Sequence, residues 1–524
     1  MVNKKIIEEL NPVISHYSGD IQTLKPILSY REEVWSTDLN YSYPRKKNSV
    51  VTRYLIGNKG IFLTGFIPKV TDYLKYEKIP FTYKKYISDM KISITEPILN
   101  GITFYKWQQR ALSIMIPAKR GVWIAPTAAG KTILFIALMK AIDTNSLVLV
   151  HTKSLFSQTY EELHTFFPKE EIGCIGDGKK ELKKYNVGMV QTVANLKIDF
   201  KNYFGLIIID EVHHATTLPK GKSAGMYAQV LQKTYAPYRF GVTATIPPQE
   251  DKKLILEGLV GPILGEATYP ELIENGLIAT PKMKFILVPP NKFLSNLKGK
   301  YLDIYKKGIV QNRIRNQLII KEAKKYIQEG KSVLILVERI EHGNELSKFA
   351  EIEFPKNSFI FIHGKTDTEV FEKVKKAKRK WLSLKKEKEG YFLELGYKKK
   401  EIKQTIKNDE QIILAGKIIS KKEKDAQKNV IAETRHRFEK KEMGCVIATR
   451  VWSEGINIKS VDVVINAVGG NSELAAIQRF GRGMRITEDK NEVTLVDLID
   501  SNSHKWFERH SMERICFYSE RGWL

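Results

Sequence analysis

The chain has 524 residues and a mass of 60.2 kDa, which allows about three domains and excludes a small scaffold held together by disulfides or metals. Hydrophobic residues make up 43% and charged residues 27%, so global disorder is excluded. The 85 Lys and Arg outnumber the 59 Asp and Glu, giving a net charge of +26, which favours a polyanionic partner, with nucleic acid first.

Cysteine usage and the length of the apolar runs indicate the compartment. Cys174, Cys445 and Cys516 lie far apart, which excludes a disulfide framework and a cysteine-based zinc site. The N-terminus lacks the apolar core of a signal peptide, and no run approaches the ~18 apolar residues of a membrane span. We therefore expect a soluble, cytoplasmic protein that binds no membrane.

In chain order, residues 1–98 are rich in Tyr and Lys and predict a small α+β domain. Beyond Gly121, apolar runs alternate with amphipathic stretches, which indicates parallel sheets covered by helices on both faces. The runs fall into two sets: 122–125, 146–151, 187–191, 204–211 and 240–245, and then 332–337, 358–363, 445–449, 461–467 and 493–497. Proline and glycine place a linker near 265–285. The prediction is an α/β fold whose two sheet-containing domains span 99–275 and 276–524.

A basic insertion interrupts the last domain at about 371–430. This segment contains nineteen Lys and Arg but only nine Asp and Glu. Two interpretations have equal weight. Trp381, Tyr391, Phe392 and Tyr397 lie among the lysines, a composition that suits stacking on bases beside phosphates. The alternative is a solvated helical hairpin whose aromatic rings pack on one another.

A phosphate-binding loop is predicted at APTAAGKT, residues 125–132, between an apolar run and a helical pattern. Backbone N–H groups of such a loop bind phosphates, Lys131 reaches the terminal phosphates, and the Thr132 hydroxyl binds Mg²⁺. The predicted ATP-contacting loop residues are Thr127, Ala128, Ala129, Gly130, Lys131 and Thr132. Ala125 replaces the usual first glycine and Ala128 a second one, whereas Gly130, Lys131 and Thr132 are intact.

An acidic pair follows the run FGLIII. Asp210 at the end of a strand beside the phosphate loop is placed to hold Mg²⁺, and Glu211 is placed to orient and deprotonate the attacking water. Two adjacent acids alone are more often a solvated loop start. Their combination with the phosphate loop favours the catalytic interpretation.

The ordered set APTAAGKT, DEVH at 210–213, TAT at 243–245 and QRFGRGMR at 478–485 resembles the motif series of superfamily 2 helicases. The resemblance covers about 400 residues, from Tyr105 to the C-terminus. Further matches at WQQRA (107–111), VLVHTKSLFSQ (148–158), LIENGLIATP (272–281), VLILVERIEHGNEL (333–346) and IHGKTD (362–367) favour the UvsW/XPB-like branch, whose phage members remodel branched DNA. Asn457 departs from this pattern, because the branch usually has Asp there.

The resemblance implies two tandem RecA-like domains with ATP between them, and a DNA-recognition-like domain at 1–98. It implies that Gln108 contacts adenine, that Glu454 and Gly455 lie near the nucleotide, and that His213, Thr243 and Thr245 couple hydrolysis to domain closure. It also implies that Arg482 and Arg485 are arginine fingers and that Gln478 helps place the water or the γ-phosphate. The catalytic set is then Lys131, Asp210, Glu211, Gln478, Arg482 and Arg485.

Nucleic-acid contacts follow from family position and from the donors that suit a phosphate backbone. They are Thr152, Lys153, Gln191, Thr192, Arg339, Lys365, Thr449 and Arg450. Such contacts read little sequence, so binding is expected to be structure-selective and salt-sensitive.

The preferred function is an ATP-dependent DNA helicase or translocase that unwinds or migrates branched DNA such as forks, four-way junctions and R-loops. The expected cofactors are ATP and Mg²⁺, and the expected partners are DNA and RNA–DNA hybrids. We expect a monomer, and a phage origin would place the protein in the host cytoplasm. Three alternatives stay open: an RNA helicase, a nucleotide-gated clamp or translocase that separates no strands, and, disfavoured for want of a nuclease motif, the motor of a restriction system.

Overall fold

The computed structural model describes residues 5–38, 45–86, 88, 90–126, 129–217, 225–355, 358–363, 430–449, 461–470, 490–500 and 504–524. Its described residues form two compact units, one ending at Ile278 and one beginning at Ala279. This division falls inside the predicted linker at 265–285, a segment that also contains regular structure. Across the described ranges, the chain has no helix with the length and apolar character needed to span a bilayer.

The N-terminal domain combines a four-stranded sheet with a long hairpin. Its elements are β1 (Lys5–Glu9), β2 (Ile14–Tyr17), β3 (Ser29–Asp38), β4 (Arg45–Tyr54), β5 (Ile61–Leu63), α1 (Ile67–Tyr76), β6 (Phe81–Lys84) and β7 (Ser93–Ile94). The sheet order is β5-β2-β1-β6, with β1 antiparallel to β2 and parallel to β6, and β3 pairs antiparallel with β4. Helix α1 buries Val70 and Leu74 against Tyr17 and Phe62 of the sheet. The predicted α+β character is thus observed.

The first RecA-like domain is built on an eight-stranded sheet. Its elements are α2 (Lys106–Ala118), β8 (Arg120–Ile124), α3 (Lys131–Ala141), β9 (Ile142–Asp143), β10 (Ser146–Val150), α4 (Lys153–Phe166), β11 (Ile172–Gly176), β12 (Lys179–Glu181), β13 (Tyr185–Met189), α5 (Val190–Asn195), β14 (Leu206–Asp210), α6 (Met226–Lys233), β15 (Tyr238–Thr243), α7 (Glu250–Leu259), β16 (Ile263–Glu266) and α8 (Tyr269–Glu274). The order is β12-β11-β13-β10-β14-β15-β8-β16, and every neighbouring pair is parallel except β11 with β12. The strands β10, β14 and β15 are buried throughout, as their continuous apolar runs predict.

The N-terminal domain packs on helix α7 of the first RecA-like domain. A Cβ atom at Gly65 would lie 2.1 Å from the carbonyl oxygen of Glu257, so the backbones approach too closely for any other residue at this position. The Phe66 ring covers Gly258, and Lys69 forms an ion pair of 3.0 Å with Glu257. This contact explains why both domains belong to one compact unit.

The second RecA-like domain has a six-stranded sheet. Its described elements are β17 (Thr280–Leu287), α9 (Lys292–Ser295), α10 (Tyr301–Tyr305), α11 (Arg313–Gln328), β18 (Val333–Leu336), α12 (Ile340–Glu353), β19 (Phe359–Ile362), α13 (Val430–Glu439), β20 (Cys445–Ala448), β21 (Val463–Asn466), β22 (Glu492–Ile499) and α14 (Lys505–Glu520). The order is β17-β22-β21-β18-β20-β19, and all five pairings are parallel. The prediction of two α/β domains with parallel sheets is confirmed. The basic insertion lies outside the described residues.

Four strands of the eight-stranded and six-stranded sheets were not among the predicted apolar runs. In β11, Gly173 and Gly176 interrupt the apolar pattern, and β12 is short and wholly exposed. The strand β16 lies at one edge of its sheet and is only partly buried. The strand β17 pairs, among the described strands, with β22 alone, and it alternates polar with apolar residues. Edge strands bury less apolar side chain than central strands, so their sequence pattern is weaker.

A buried histidine makes the second domain sensitive to acid. The His342 ring on α12 is fully buried and lies 3.0 Å from Asn316 Oδ1 through Nε2. Asn316 donates from Nδ2 to the Val310 carbonyl, so its Oδ1 accepts and His342 carries its proton on Nε2. Burial, with the charge of Arg315 as a smaller cause, lowers the pKa of His342 to about 3. The folded domain therefore requires a neutral ring.

We expect the free energy of unfolding to fall as the pH drops below 6.5, because the unfolded state then binds a proton that the folded state refuses. Between pH 7.5 and 5.5 this group alone should cost about 1.4 kcal/mol. Urea unfolding at both pH values should show this extra loss in the native protein and not in His342→Gln. Equal pH dependence in the two proteins would contradict the assignment.

Candidate functional site

Three strands bring the predicted catalytic residues to one edge of the first sheet. The strands β14, β15 and β8 are neighbours and parallel, and they end at Asp210, Thr243 and Ile124. Carboxyl ends of parallel strands meet at the same edge, where α/β proteins bind ligands. The phosphate-binding loop follows β8 directly, so the loop, the acidic pair and the TAT segment lie side by side.

The phosphate-binding loop turns sharply into helix α3. Gly130 has φ +87° and precedes the first helical residue, Lys131. Gln108 on α2 is buried and donates from Nε2 to the Gly130 carbonyl at 3.1 Å, while its Oε1 accepts from the N–H of Tyr105 at 2.9 Å. The adenine contact of Gln108 stays a prediction. In this structure its side chain ties α2 to the phosphate-binding loop.

A lysine and a glutamate pair at the centre of the site. Lys131 Nζ lies 2.7 Å from Glu211 Oε1, and both side chains are largely buried. Burial pushes the pKa of Glu211 upward, but the charge of Lys131, with hydrogen bonds from His213 and Lys131, outweighs burial and holds that pKa well below its usual range. Burial raises the pKa of neighbouring Asp210 to about 6, although Lys131 opposes the shift. The pKa values of the two adjacent carboxyl groups are thus shifted in opposite directions, and Glu211 is ionised at neutral pH.

A hydrogen-bonded path connects Glu211 with the TAT segment. His213 Nδ1 lies 2.8 Å from Thr243 Oγ1 and 3.3 Å from Glu211 Oε2. The Thr243 hydroxyl donates to the Thr245 carbonyl at 2.9 Å, so its oxygen accepts from His213, which carries its proton on Nδ1. The backbone of Glu211 is left-handed at φ +51°, a strained conformation that aims its carboxylate between Lys131 and His213. The residues predicted to couple hydrolysis to closure are therefore in direct contact.

The oxygen donors at this edge suit a magnesium ion bound to nucleotide phosphates. Asp210 offers a carboxylate at the end of β14, and Thr132 offers a hydroxyl in the first turn of α3. Mg²⁺ prefers hard oxygen ligands and takes only one or two from the protein when phosphates and water supply the rest. Within the described ranges no group of three or more His, Cys, Asp or Glu could hold a metal by itself. The residues present thus fit a phosphate-bound Mg²⁺.

Several predicted site residues lie outside the described residues: Thr127, Ala128, Lys365, Arg450, Glu454, Gly455, Gln478, Arg482 and Arg485. Their roles stay predictions from the motif resemblance.

Comparison with known proteins identifies the family. The family model "Type III restriction enzyme, res subunit" matches residues 101–248, and the model "Helicase conserved C-terminal domain" matches residues 372–487. The chain belongs to superfamily 2 of the helicases. It is therefore an ATP-dependent enzyme, and the resemblance drawn from the motifs is confirmed. The second match also spans the segment interpreted as a basic insertion.

Two curated relatives match most of this helicase. The "DNA 3'-5' translocase XPB2" of Sulfurisphaera tokodaii is 25% identical over 473 residues, which cover 85% of this chain and 96% of the relative. The "ATP-dependent DNA helicase uvsW" of Enterobacteria phage T4 is 25% identical over 441 residues, covering 79% of this chain and 74% of the relative. This chain is thus similar to both members that name the UvsW/XPB branch.

The predicted nucleic-acid contacts of the first helicase domain follow adjacent strands. Thr152 caps α4 after β10, and its hydroxyl accepts from the Leu155 N–H at 3.3 Å. Gln191 follows β13, the neighbour of β10, and donates to the His151 carbonyl at 3.0 Å. Thr192 lies beside it on α5. These contacts therefore gather at the same edge of the sheet as the acidic pair.

In the second helicase domain the predicted contacts also follow adjacent strands. Arg339 lies between β18 and α12, immediately before the helix, and its guanidinium lies 5.2 Å from the Tyr305 ring centroid. Thr449 follows β20, the neighbour of β18, and its N–H donates to the Ile362 carbonyl at 3.1 Å. Each domain thus presents predicted backbone contacts at the carboxyl ends of paired strands.

Two residues at the site escaped the sequence analysis. Tyr105 immediately precedes α2, lies beside Gly130 and is 44% exposed, which leaves its ring accessible for stacking next to the phosphate-binding loop. Asp177, in the turn between β11 and β12, forms a 2.5 Å ion pair with Lys153. No motif contains Asp177. Its role depends on a strand pair that the apolar pattern does not predict.

We expect Asp177→Asn to bind DNA about two- to fivefold more tightly at low salt, because Asp177 occupies the Lys153 ammonium that a phosphate would contact. Fluorescence anisotropy with a tailed duplex measures the effect, which should fade at high salt. Glu181→Gln is the charge-matched control on the same hairpin. If both variants gain equal affinity for DNA, the change reflects net charge, and the pairing of Asp177 with Lys153 does not affect binding.

Proposed function

We propose that this helicase uses ATP to unwind or branch-migrate branched DNA, including forks, four-way junctions and R-loops. Two observations support this substrate class: the two relatives are a DNA translocase and a DNA helicase, and the chain carries a net charge of +26. We further propose that RNA–DNA hybrids are also substrates and that the protein acts as a monomer.

One observation carries the motor assignment: a continuous set of contacts from the phosphate-binding loop to the TAT segment. Lys131 contacts Glu211, Glu211 contacts His213, and His213 contacts Thr243, which contacts Thr245. A protein that only bound ATP would not require such a path. A motor requires it, because the state of the nucleotide must change the position of other elements.

The lysine–glutamate pair suggests how ATP binding activates the site. Lys131 Nζ lies 2.7 Å from Glu211 Oε1 and neutralises that carboxylate. A terminal phosphate would draw the ammonium away, and the released carboxylate, ionised and still directed by His213, would orient the attacking water and accept its proton. The Glu211 carboxylate would then be available as a base only while a phosphate contacts Lys131.

The remaining parts are assigned as proposals. Asp210 and Thr132 would hold Mg²⁺, which neutralises phosphate charge during transfer. Arg482 and Arg485 would supply positive charge to the transition state. Residues 1–98 would recognise DNA structure, 99–275 would bind ATP, and 276–524 would complete the motor.

The test is ATP-driven strand release from a synthetic four-way DNA junction, compared with a simple tailed duplex and an RNA–DNA hybrid, with Lys131→Ala as the control. We expect faster release from the junction than from the duplex, and loss of release from every substrate in Lys131→Ala. ATP hydrolysis without release from any substrate would replace the proposal with a translocase or clamp. Release from the RNA–DNA hybrid alone would replace it with an RNA-directed helicase.

A further inference from the structure

A cavity of about 410 Å³ separates the N-terminal domain from the first RecA-like domain. On one wall are Tyr83, Lys85 and Tyr86, at the end of β6 and just beyond it, and on the other are Lys119 and Arg120, at the start of β8. The ATP site follows the opposite end of β8, a strand of five residues that spans roughly 16 Å. The cavity, named here the rear pocket, is therefore distinct from the ATP site. Its volume is in the range of small-molecule sites.

Positive charge exceeds negative charge around the rear pocket. Lys85, Lys119 and Arg120 line it, and Arg239 lies directly behind Arg120 as its cross-strand partner. Arg239 is fully buried, and within the described residues it donates to the backbone carbonyls of Leu231, Thr234 and Ala236. Lining the pocket opposite these cations is one acid, Glu9. An anionic ligand would offset this excess.

The polar groups of the walls are unequally satisfied. Both Glu9 oxygens accept hydrogen bonds, from the Tyr83 hydroxyl at 2.6 Å and the Tyr86 N–H at 2.8 Å, so Glu9 is held within its own domain. Arg120 has five N–H donors, and among the described residues one acceptor meets them, the Pro12 carbonyl at 2.7 Å from Nη2. Within the described part of the chain, therefore, no carboxylate accepts a hydrogen bond from the Arg120 guanidinium.

The rest of the lining is apolar or aromatic. Pro12, Pro68, Pro237, Pro262 and Leu264 contribute apolar surface, and the Tyr83 side chain is 39% exposed. A ligand that fills this pocket needs an anionic end for Arg120 and Lys85 and a flat apolar body for the Tyr83 ring. A nucleotide has both parts.

We propose that the rear pocket binds a nucleoside phosphate, with Arg120 and Lys85 contacting the phosphate and Tyr83 contacting the base. The choice of a nucleotide among amphipathic anions rests on the proposed function, since a DNA-processing enzyme meets nucleotides in its substrate. The nucleotide has two possible sources, a free mononucleotide or the terminal residue of a DNA strand. The N-terminal domain would then hold DNA together with the first RecA-like domain.

The test uses the full chain carrying Lys131→Ala, so that binding at the ATP site is weakened equally in every protein. Isothermal titration with dTMP and with inorganic phosphate is compared with anisotropy of a short oligonucleotide with and without a 5′-phosphate. Arg120→Gln removes the guanidinium, and Lys85→Glu reverses an exposed charge that has no ion-pair partner among the residues the structure describes. Lys84→Glu, the exposed neighbour that faces Glu8 at 3.9 Å instead of the pocket, is the matched control.

We expect Arg120→Gln and Lys85→Glu to weaken dTMP binding about tenfold, with Lys84→Glu unchanged. A second outcome also supports the proposal: no protein binds dTMP, but Arg120→Gln and Lys85→Glu abolish the preference for the 5′-phosphorylated oligonucleotide. That outcome would identify the strand end as the source of the nucleotide. Equal effects of Lys85→Glu and Lys84→Glu on every probe would overturn it. Binding of inorganic phosphate as tight as that of dTMP would overturn the nucleotide class. Failure of the proposed function would instead appear in the ATP-driven junction assay, which these equilibrium measurements do not involve.

Discussion

Replacing Glu211 with Gln is expected to lower the kcat of ATP hydrolysis by about a hundredfold or more while ATP still binds. The amide keeps the size of the side chain but cannot accept the proton of the attacking water. It also removes the charge that Lys131 faces at 2.7 Å, so the lysine is more available to the phosphates. Steady-state hydrolysis and equilibrium binding of a fluorescent ATP analogue measure the two effects separately.

Two further variants make this prediction specific. Lys131→Ala should weaken both ATP binding and hydrolysis, because the lysine contacts phosphate in the ground state as well as in the transition state. Glu250→Gln makes the same replacement of carboxylate by amide at an exposed glutamate on α7 and should leave hydrolysis unchanged. A Glu211→Gln protein that hydrolyses ATP at more than a tenth of the native rate would exclude Glu211 as the base.

Sequence reasoning succeeds where each functional residue follows a buried strand. Asp210 and Thr243 end the runs β14 and β15, all of whose residues are buried. Because parallel strands end at one edge, their proximity to the phosphate-binding loop is predictable without knowing the strand order. The fold class and the position of the ATP site are therefore available from the sequence.

Contacts that depend on side-chain geometry cannot be predicted from the sequence in this way. The pairing of Lys131 with Glu211 requires the left-handed backbone at Glu211, which no propensity predicts for a glutamate. The pairing of Lys153 with Asp177 requires β11 and β12, and glycines in β11 weaken the apolar pattern. The rear pocket requires knowledge of how the N-terminal domain packs on the next one. Each depends on long-range packing.

The second RecA-like domain contains a buried ion pair whose loss should have a large effect on stability. Arg514 on α14 donates from Nε to Asp497 Oδ2 at 2.7 Å, and its other nitrogens donate to the carbonyls of Gly470 and Leu498 at 2.9 and 2.8 Å. Tyr518 donates to the same Asp497 oxygen at 2.7 Å. Arg514 and Asp497 are both essentially inaccessible to solvent. The arginine thus joins the last helix to β22 and to the segment that follows β21.

We expect Arg514→Met to lower the free energy of unfolding of this domain by about 3–5 kcal/mol, because it leaves the Asp497 carboxylate buried without its cation. Hydrogen exchange of the β21 and β22 amides reports on this domain even when the two units unfold separately. Arg509→Met removes an exposed arginine from the same helix, paired with Glu513 at 3.2 Å, and should change stability by less than about 0.5 kcal/mol. The double variant Arg514→Met/Asp497→Leu should recover part of the loss, since neither charge then remains buried. A loss below about 1 kcal/mol in Arg514→Met would mean that water or a neighbouring group compensates Asp497, and the pair would not then hold the helix in place.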